Sequence, residues 1–342
     1  MQAAISAIEY YLPEKKLSTA DLSAEFPEWN VEKIDQQTGI QERHIAAPDE
    51  CSSDLAVAAA QKLFASGACD AQSVDYLLLC TQSPDYFLPT TACLVQDRLG
   101  IPVTAGALDF NLGSSGFVYG LGLAQGLIAS SQASAVLLIT AETYSKFIHR
   151  QDKSVRTIFG DAAAATLVRA IDAAAPLIGP FVYGTDGKGG PNLIVPAGGM
   201  RRPRTAETGL AAEDDFGNVR SADNLFMNGV EIFGFTLSVV PASVAELLKR
   251  SGKSLDEIDL FVLHQANRYM LDQLRKRIKI PPEKFYVAMG HCGNTASSTI
   301  PMALKHACLE NRLSPGATVM LVGFGPGYSW AAALVRWSGM AA

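Results

Sequence analysis

A chain of 342 residues, 48% hydrophobic and 18% charged, is long for one core, so two domains or two fused halves are expected. Its net charge of −6 excludes a generic nucleic-acid binder. No apolar run approaches the roughly 20 residues of a membrane span, and residues 1–11 lack a basic start followed by an apolar stretch, so a cytoplasmic protein with no membrane partner is expected.

In chain order, an alanine-rich stretch at 55–64 reads as a helix that ends near Gly67. Asp75 then opens the apolar run Tyr76-Leu77-Leu78-Leu79. A short strand follows, then the turn Asn111-Leu112-Gly113-Ser114-Ser115 and a helix over 116–128. Next come the strand 135–139, the loop Phe159-Gly160-Asp161 and a closing strand at 165–169.

The second half repeats this order. A helix ends near Gly252, Asp259 opens Leu260-Phe261-Val262-Leu263, and a helix follows. The turn His291-Cys292-Gly293-Asn294-Thr295 precedes another helix. Strand 319–322, the loop Gly325-Pro326-Gly327 and strand 333–336 close the chain. Continuous apolar strands between helices imply α/β sheets covered on both faces. The repeated order predicts duplicated halves at 1–175 and 176–342. Chance repetition of generic α/β elements is the alternative. If the duplication is real, Ser114 and Asn294 occupy equivalent turns and meet near a pseudo-twofold axis. A Gly-, Pro- and Arg-rich excursion at about 184–230 interrupts the second half. It reads either as a cover over a pocket or interface, or as a solvated surface loop.

Three residues carry candidate chemistry. Ser114 sits between Gly113 and Gly116 where a strand turns into a helix. Such a turn lets backbone approach a ligand and offers free N–H groups to an oxyanion. A plain serine cap accounts for the same pattern. His264 ends a buried strand, where open α/β sheets place ligands, although a lone strand-end histidine also serves structure. Asn294 offers two N–H donors and never titrates. A His–Asn pair suits a carbonyl oxygen that becomes an enolate. The six cysteines form no CxxC pair, so neither zinc nor redox chemistry is expected.

Taken together, Thr38–Pro48, Asp109–Phe117, Ile158–Asp161, His264–Asn267, Gly293-Asn294-Thr295 and Gly327–Trp330 make a specific pattern. The chain resembles the β-ketoacyl-acyl carrier protein synthase III family of thiolase-fold condensing enzymes over nearly its full length. That resemblance implies a layered α-β-α-β-α fold and decarboxylative condensation of an acyl thioester with a malonyl thioester. It also implies a cytoplasmic homodimer in fatty acid, polyketide or secondary metabolism. Acyl carrier protein and acyl-CoA or phosphopantetheine-linked substrates are the implied partners, with no cofactor.

In this family a cysteine nucleophile works with a histidine and an asparagine. The last two fall on His264 and Asn294, and the nucleophile falls on Ser114. A serine hydroxyl, unlike a thiolate, must lose its proton to a base during attack. Three readings follow: an engineered replacement that blocks turnover, a native serine nucleophile, or a non-catalytic partner of a condensing enzyme. A serine acyltransferase to an alcohol or amine is the enzyme rival. Pro326 is a second departure, because the glycine expected there would supply an oxyanion N–H that proline lacks. The tryptophan–arginine clamp of acyl-CoA-loading members is replaced by Lys33 and Gln37. The cluster Arg268, Arg275, Lys276, Arg277 and Lys279 suits an acidic carrier protein or a phosphate, or is simply a solvated helix face. Leu88 falls where family dimers reach the partner's acyl pocket. Leu88, Phe233, Gly327, Arg268, Lys33 and Lys153 are therefore the implied substrate contacts.

Overall fold

The computed structural model describes residues 1–339. Its frame is two sheets. The first contains β1 (Gln2–Tyr11), β2 (Tyr76–Cys80), β3 (Gly106–Phe110), β4 (Ala135–Glu142) and β5 (Ala162–Ile171), in the order β1-β5-β4-β2-β3. The second contains β6 (Ile178–Thr185), β7 (Leu260–Leu263), β8 (Thr318–Gly325) and β9 (Ser329–Arg336), in the order β6-β9-β8-β7. Pairing directions match as well. β2–β4 and β7–β8 are parallel; β1–β5, β5–β4, β6–β9 and β9–β8 are antiparallel. The counterpart of β3 shrinks to one parallel bridge, Phe261 to Phe285.

Helices α1 (Ser52–Ala65) and α2 (Thr91–Leu99) cover the outside of the first sheet. Helices α4 (Gly229–Ser251) and α5 (Arg268–Ile278) cover the second. Between the sheets lie α3 (Gly116–Ala129) and α6 (Thr299–Leu309), each touching both. The result is the α-β-α-β-α layering of the thiolase-like fold.

Strand composition explains the layers. Leu77 and Leu79 face the outer core with Leu55 and Leu63, while Leu78 faces the middle layer with Phe117 and Leu121. Likewise Val319 and Leu321 turn inward while Met320 and Val322 meet Val240, Leu247 and Leu271 outside. Period-2 geometry makes a continuous apolar run serve two cores at once.

Two expectations change. Helix α4 is long and apolar enough, by length and composition, to cross a membrane. It stands instead against β6, β8 and β9 through Thr236, Val240, Val244 and Leu247. The apolar positions are spaced around a helix among polar ones, so they form no continuous run in the sequence. The excursion is divided between its two readings. Leu193 and Met227, at its base, line an internal cavity. Met200, Leu210 and Phe216, farther out, are exposed.

Candidate active site

The turn after β3 ends in Ser114, two residues before α3 begins. Ser114 is 95% buried. Its N–H makes no hydrogen bond among the described residues and points from the positive end of a helix. Strand β8 presses on this turn. A Cβ added to Gly325 would lie 3.1 Å from the Ser114 nitrogen and 3.6 Å from Oγ. Glycine lets the strand come this close without displacing the turn. The neighbouring hydroxyls of Ser115 and Ser329 meet at 2.7 Å and tie the turn to β9.

His264 follows β7 and donates its backbone N–H to Val322 of β8 at 2.9 Å. Its Nδ1 contacts Thr299 Oγ1 at 2.8 Å, which leaves Nε2 for the cavity. Phe324 stands edge-on to the ring, with centroids 5.1 Å apart. Burial pushes the His264 pKa down to about 3, so the imidazole is neutral at ordinary pH. Thr299 Oγ1 also lies 3.0 Å from the Ala296 carbonyl. The hydroxyl has one proton for these two acceptors. Given to Ala296, it obliges Nδ1 to carry hydrogen and leaves Nε2 a bare base. Given to Nδ1, it makes Nε2 a donor. One threonine thus supports either role of the imidazole.

Asn294 occupies the turn equivalent to that of Ser114. Its Oδ1 accepts from Ala296 N at 2.9 Å, which frees Nδ2 as a donor. Its backbone belongs to the other half: Asn294 N donates to Ile158 O at 2.9 Å, and Gly160 N donates to Asn294 O at 3.1 Å. A Cβ on Gly160 would collide with the Cys292 carbonyl. The loop Phe159-Gly160-Asp161 is therefore a clasp between the halves.

Ser114, His264 and Asn294 line one cavity of about 200 Å³, walled by Phe159, Met227, Phe235 and Met270. The cavity is thus lined by a hydroxyl, a neutral imidazole, an amide donor and a free N–H at a helix start. Pro326 lines the same cavity.

The six implied substrate contacts do not join this cavity. Leu88 is 82% exposed on a loop. Phe233 stacks on Tyr269 on the outer side of α4, because helical spacing turns Ile232, Phe235 and Thr236 inward instead. Gly327 sits one residue past the cavity wall, next to Tyr328. Arg268 lies over Gly39 and lines a separate groove with Asp272, Arg275 and Arg312. Lys33 is exposed on the short helix Val31–Thr38, and Lys153 begins Lys153–Arg156. Part of the basic cluster has a local purpose. Arg275 bonds the Ile280 carbonyl beyond the end of α5, where positive charge favours the helix dipole.

The sequence reading missed Thr299, Tyr144 and Phe235. Their positions become relevant only through folding, though a threonine opening a helix five residues after Asn294 is a visible signal. Cys292 is no substitute nucleophile. Its thiol is buried and pushed up to about 12. Among the described residues, no group of three or more His, Cys, Asp or Glu side chains is placed to hold a metal ion.

Two duplicated halves that meet on a nucleophile turn, a histidine and an asparagine define an acyl-transferring enzyme of the thiolase fold. Residues 108–187 match the model of 3-oxoacyl-[acyl-carrier-protein] synthase III, and residues 248–337 match that of its C-terminal region. A β-ketoacyl-[acyl-carrier-protein] synthase III of Caldanaerobacter subterraneus subsp. tengcongensis is 35% identical over 328 residues, 96% of each chain. A crystal structure of a 3-oxoacyl-(acyl-carrier-protein) synthase III superposes with a TM-score of 0.97 at 55% identity, covering 98% of this chain and all of that one. A Burkholderia xenovorans LB400 3-oxoacyl-(acyl-carrier protein) synthase gives 0.89 at 34% identity, covering 99% of this chain and 95% of that one. The chain belongs to the 3-oxoacyl-[acyl-carrier-protein] synthase III family, and is an acyltransferase of the condensing type.

Proposed function

We propose that Ser114 is the residue acylated, and that His264 and Asn294 serve both halves of a decarboxylative condensation. The observation that carries this is the single cavity lined by all three, with the Ser114 N–H free beside them.

In the first stage Ser114 Oγ attacks the carbonyl of an acyl thioester. Its proton passes to bare His264 Nε2, and the thiolate leaves with that proton. The Ser114 N–H faces the oxyanion; Pro326 contributes none. In the second stage a malonyl thioester loses carbon dioxide. With Thr299 donating to Nδ1, the other neutral tautomer presents Nε2–H, and this N–H together with Asn294 Nδ2 holds the enolate oxygen. The carbanion attacks the seryl ester, forms the new carbon–carbon bond and expels the Ser114 alkoxide, which takes a proton from water.

The remaining partners follow from this reading. Substrates arrive on coenzyme A or phosphopantetheine, and the reaction uses no metal or bound cofactor. A carrier protein delivers the malonyl group to the basic face of α5 around Arg268. The enzyme is a homodimer, with the exposed Tyr86-Phe87-Leu88 loop turned to the partner. Six free cysteines fit a cytoplasmic location.

Mass spectrometry of products formed from an acyl thioester and malonyl carrier protein tests the reading. A 3-oxoacyl product supports it; an ester or amide without decarboxylation favours a serine acyltransferase instead. Substituting Asn294→Asp adds a finer test. It replaces a donor with a charge facing the enolate and should lower decarboxylation by about 10² to 10³. Acyl loading, followed by intact mass, should fall far less. Equal loss of both steps would contradict the division of labour.

A further inference from the structure

Beyond the catalytic cavity lies a second chamber of about 240 Å³ that shares Tyr144, Leu193 and Pro326 with it. Its far wall carries two amides, Gln82 and Asn111. The Tyr144 hydroxyl donates to Gln82 Oε1. Gln82 Nε2 donates to Asn111 Oδ1 at 3.1 Å. Asn111 Nδ2 has no partner among the described residues, and only one of the two Nε2 protons of Gln82 is engaged. The chamber thus ends in surplus donors. No Lys, Arg or His side chain lines it among the described residues. It abuts the turn that carries Ser114: a Cβ on Gly113 would lie 2.6 Å from Gln82 Oε1 and 3.0 Å from the Pro326 ring.

We infer that this chamber selects a neutral acyl group bearing an oxygen a few bonds beyond the carbonyl, such as a 3-hydroxyacyl group, over a plain alkyl chain. This rests on the proposed acylation of Ser114, and it deepens that reading by naming the acyl class. An alkyl chain would displace water from the half-buried Gln82 amide and return no bond, while the exposed Asn111 amide would lose less. A hydroxyl or keto oxygen accepts from them, and the free lone pair of Tyr144 Oη can take a hydroxyl proton. A carboxylate finds no cation here, and the buried Glu142 carboxyl behind Gln82 adds no attraction for it. Phe147, Ile194 and Leu225 complete the walls and keep the chain in place.

Loading of 3-hydroxybutyryl-CoA and butyryl-CoA, which differ by one hydroxyl, is compared by intact mass on the native chain and on Ser114→Cys. The hydroxy substrate should load about three- to tenfold faster, the span of one neutral hydrogen bond. Asn111→Leu, at an exposed position, and Tyr144→Phe, which keeps the ring, should each erase or reverse that preference. Equal or better loading of butyryl by the native pocket overturns the selectivity and leaves the condensing reading standing. An unchanged preference in both variants overturns the assignment to these residues. No adduct of either acyl group in either nucleophile form sinks the acylation of position 114, and the chamber's role with it.

Discussion

A hydroxyl at position 114 holds its proton until a base removes it, whereas a thiol at a helix start can surrender it beforehand. The difference places a demand on His264 that a cysteine enzyme would not make. Burial meets that demand by holding the imidazole neutral down to about pH 3. Ser114→Cys should therefore raise acyl loading by about tenfold or more and create sensitivity to thiol reagents, both read by intact mass. No gain would mark a site adapted to serine. Gly325 sets the space around the same atom. Gly325→Ala asks the Ser114 turn to give by a fraction of an ångström and should lower loading by roughly a few-fold, well short of the roughly 100-fold expected for a full 1 Å displacement, with little change in melting temperature. Undiminished loading would mean that β8 can retreat. At this scale the sequence was readable where chemistry needs a rare side chain. Ser114, His264 and Asn294, singled out in the sequence, line one cavity, while Phe233 lies one helical step off its wall. Thr299 and Gln82 stayed hidden because ordinary residues acquire roles only from what folding sets beside them.

Elements carry the next level of control. Helix α3 begins beside Ser114, the proposed nucleophile, and the 3-10 turn Ala296–Ser298 holds the amide of Asn294. Beneath them, at the end of β4, Glu142 is fully buried and accepts from Gln82 N, Ser83 Oγ and Ser297 Oγ. It links the loop after β2 to the turn that bears Asn294. Burial raises its pKa from 4.5 to about 8. Because the folded value lies above the unfolded one, protonation of Glu142 contributes stability that is full below about pH 4.5 and is lost as pH rises through 8. Glu142→Gln should remove that part of the decline, so its melting temperature should fall less than that of the parent between pH 5 and 9. Parallel curves would refute the assignment. The strands were legible because a short, unbroken apolar run between turn residues fits a strand covered on both faces and little else. Helix α4 was legible at its end near Gly252 but not in its length back to Gly229, because a helix that buries one stripe scatters its apolar residues among exposed ones.

The whole molecule is one plan executed twice. Both sheets share strand order and direction, and the order of elements already announced this in the sequence. What the order could not tell was the loss of a full counterpart to β3, which leaves β7 at the edge of the second sheet, while β3 itself is an edge of the first. An open edge and an exposed Tyr86-Phe87-Leu88 loop are features that proteins cover. Leu88→Asp should shift the proposed dimer toward monomer in sedimentation analysis at micromolar concentration. An unaltered dimer would place the interface elsewhere.

The clasp at Ile158, Gly160 and Asn294 has a further meaning. The asparagine's backbone is held by the half of the chain that supplies the serine, while its own half supplies the histidine. Neither half owns a working centre. On the proposed mechanism catalytic competence is a property of their mating surface, and the stretch between β5 and β6 is only a tether. Such a design ties fidelity of assembly to activity: a molecule whose halves have not closed on each other holds no misaligned centre that could discharge acyl groups to water.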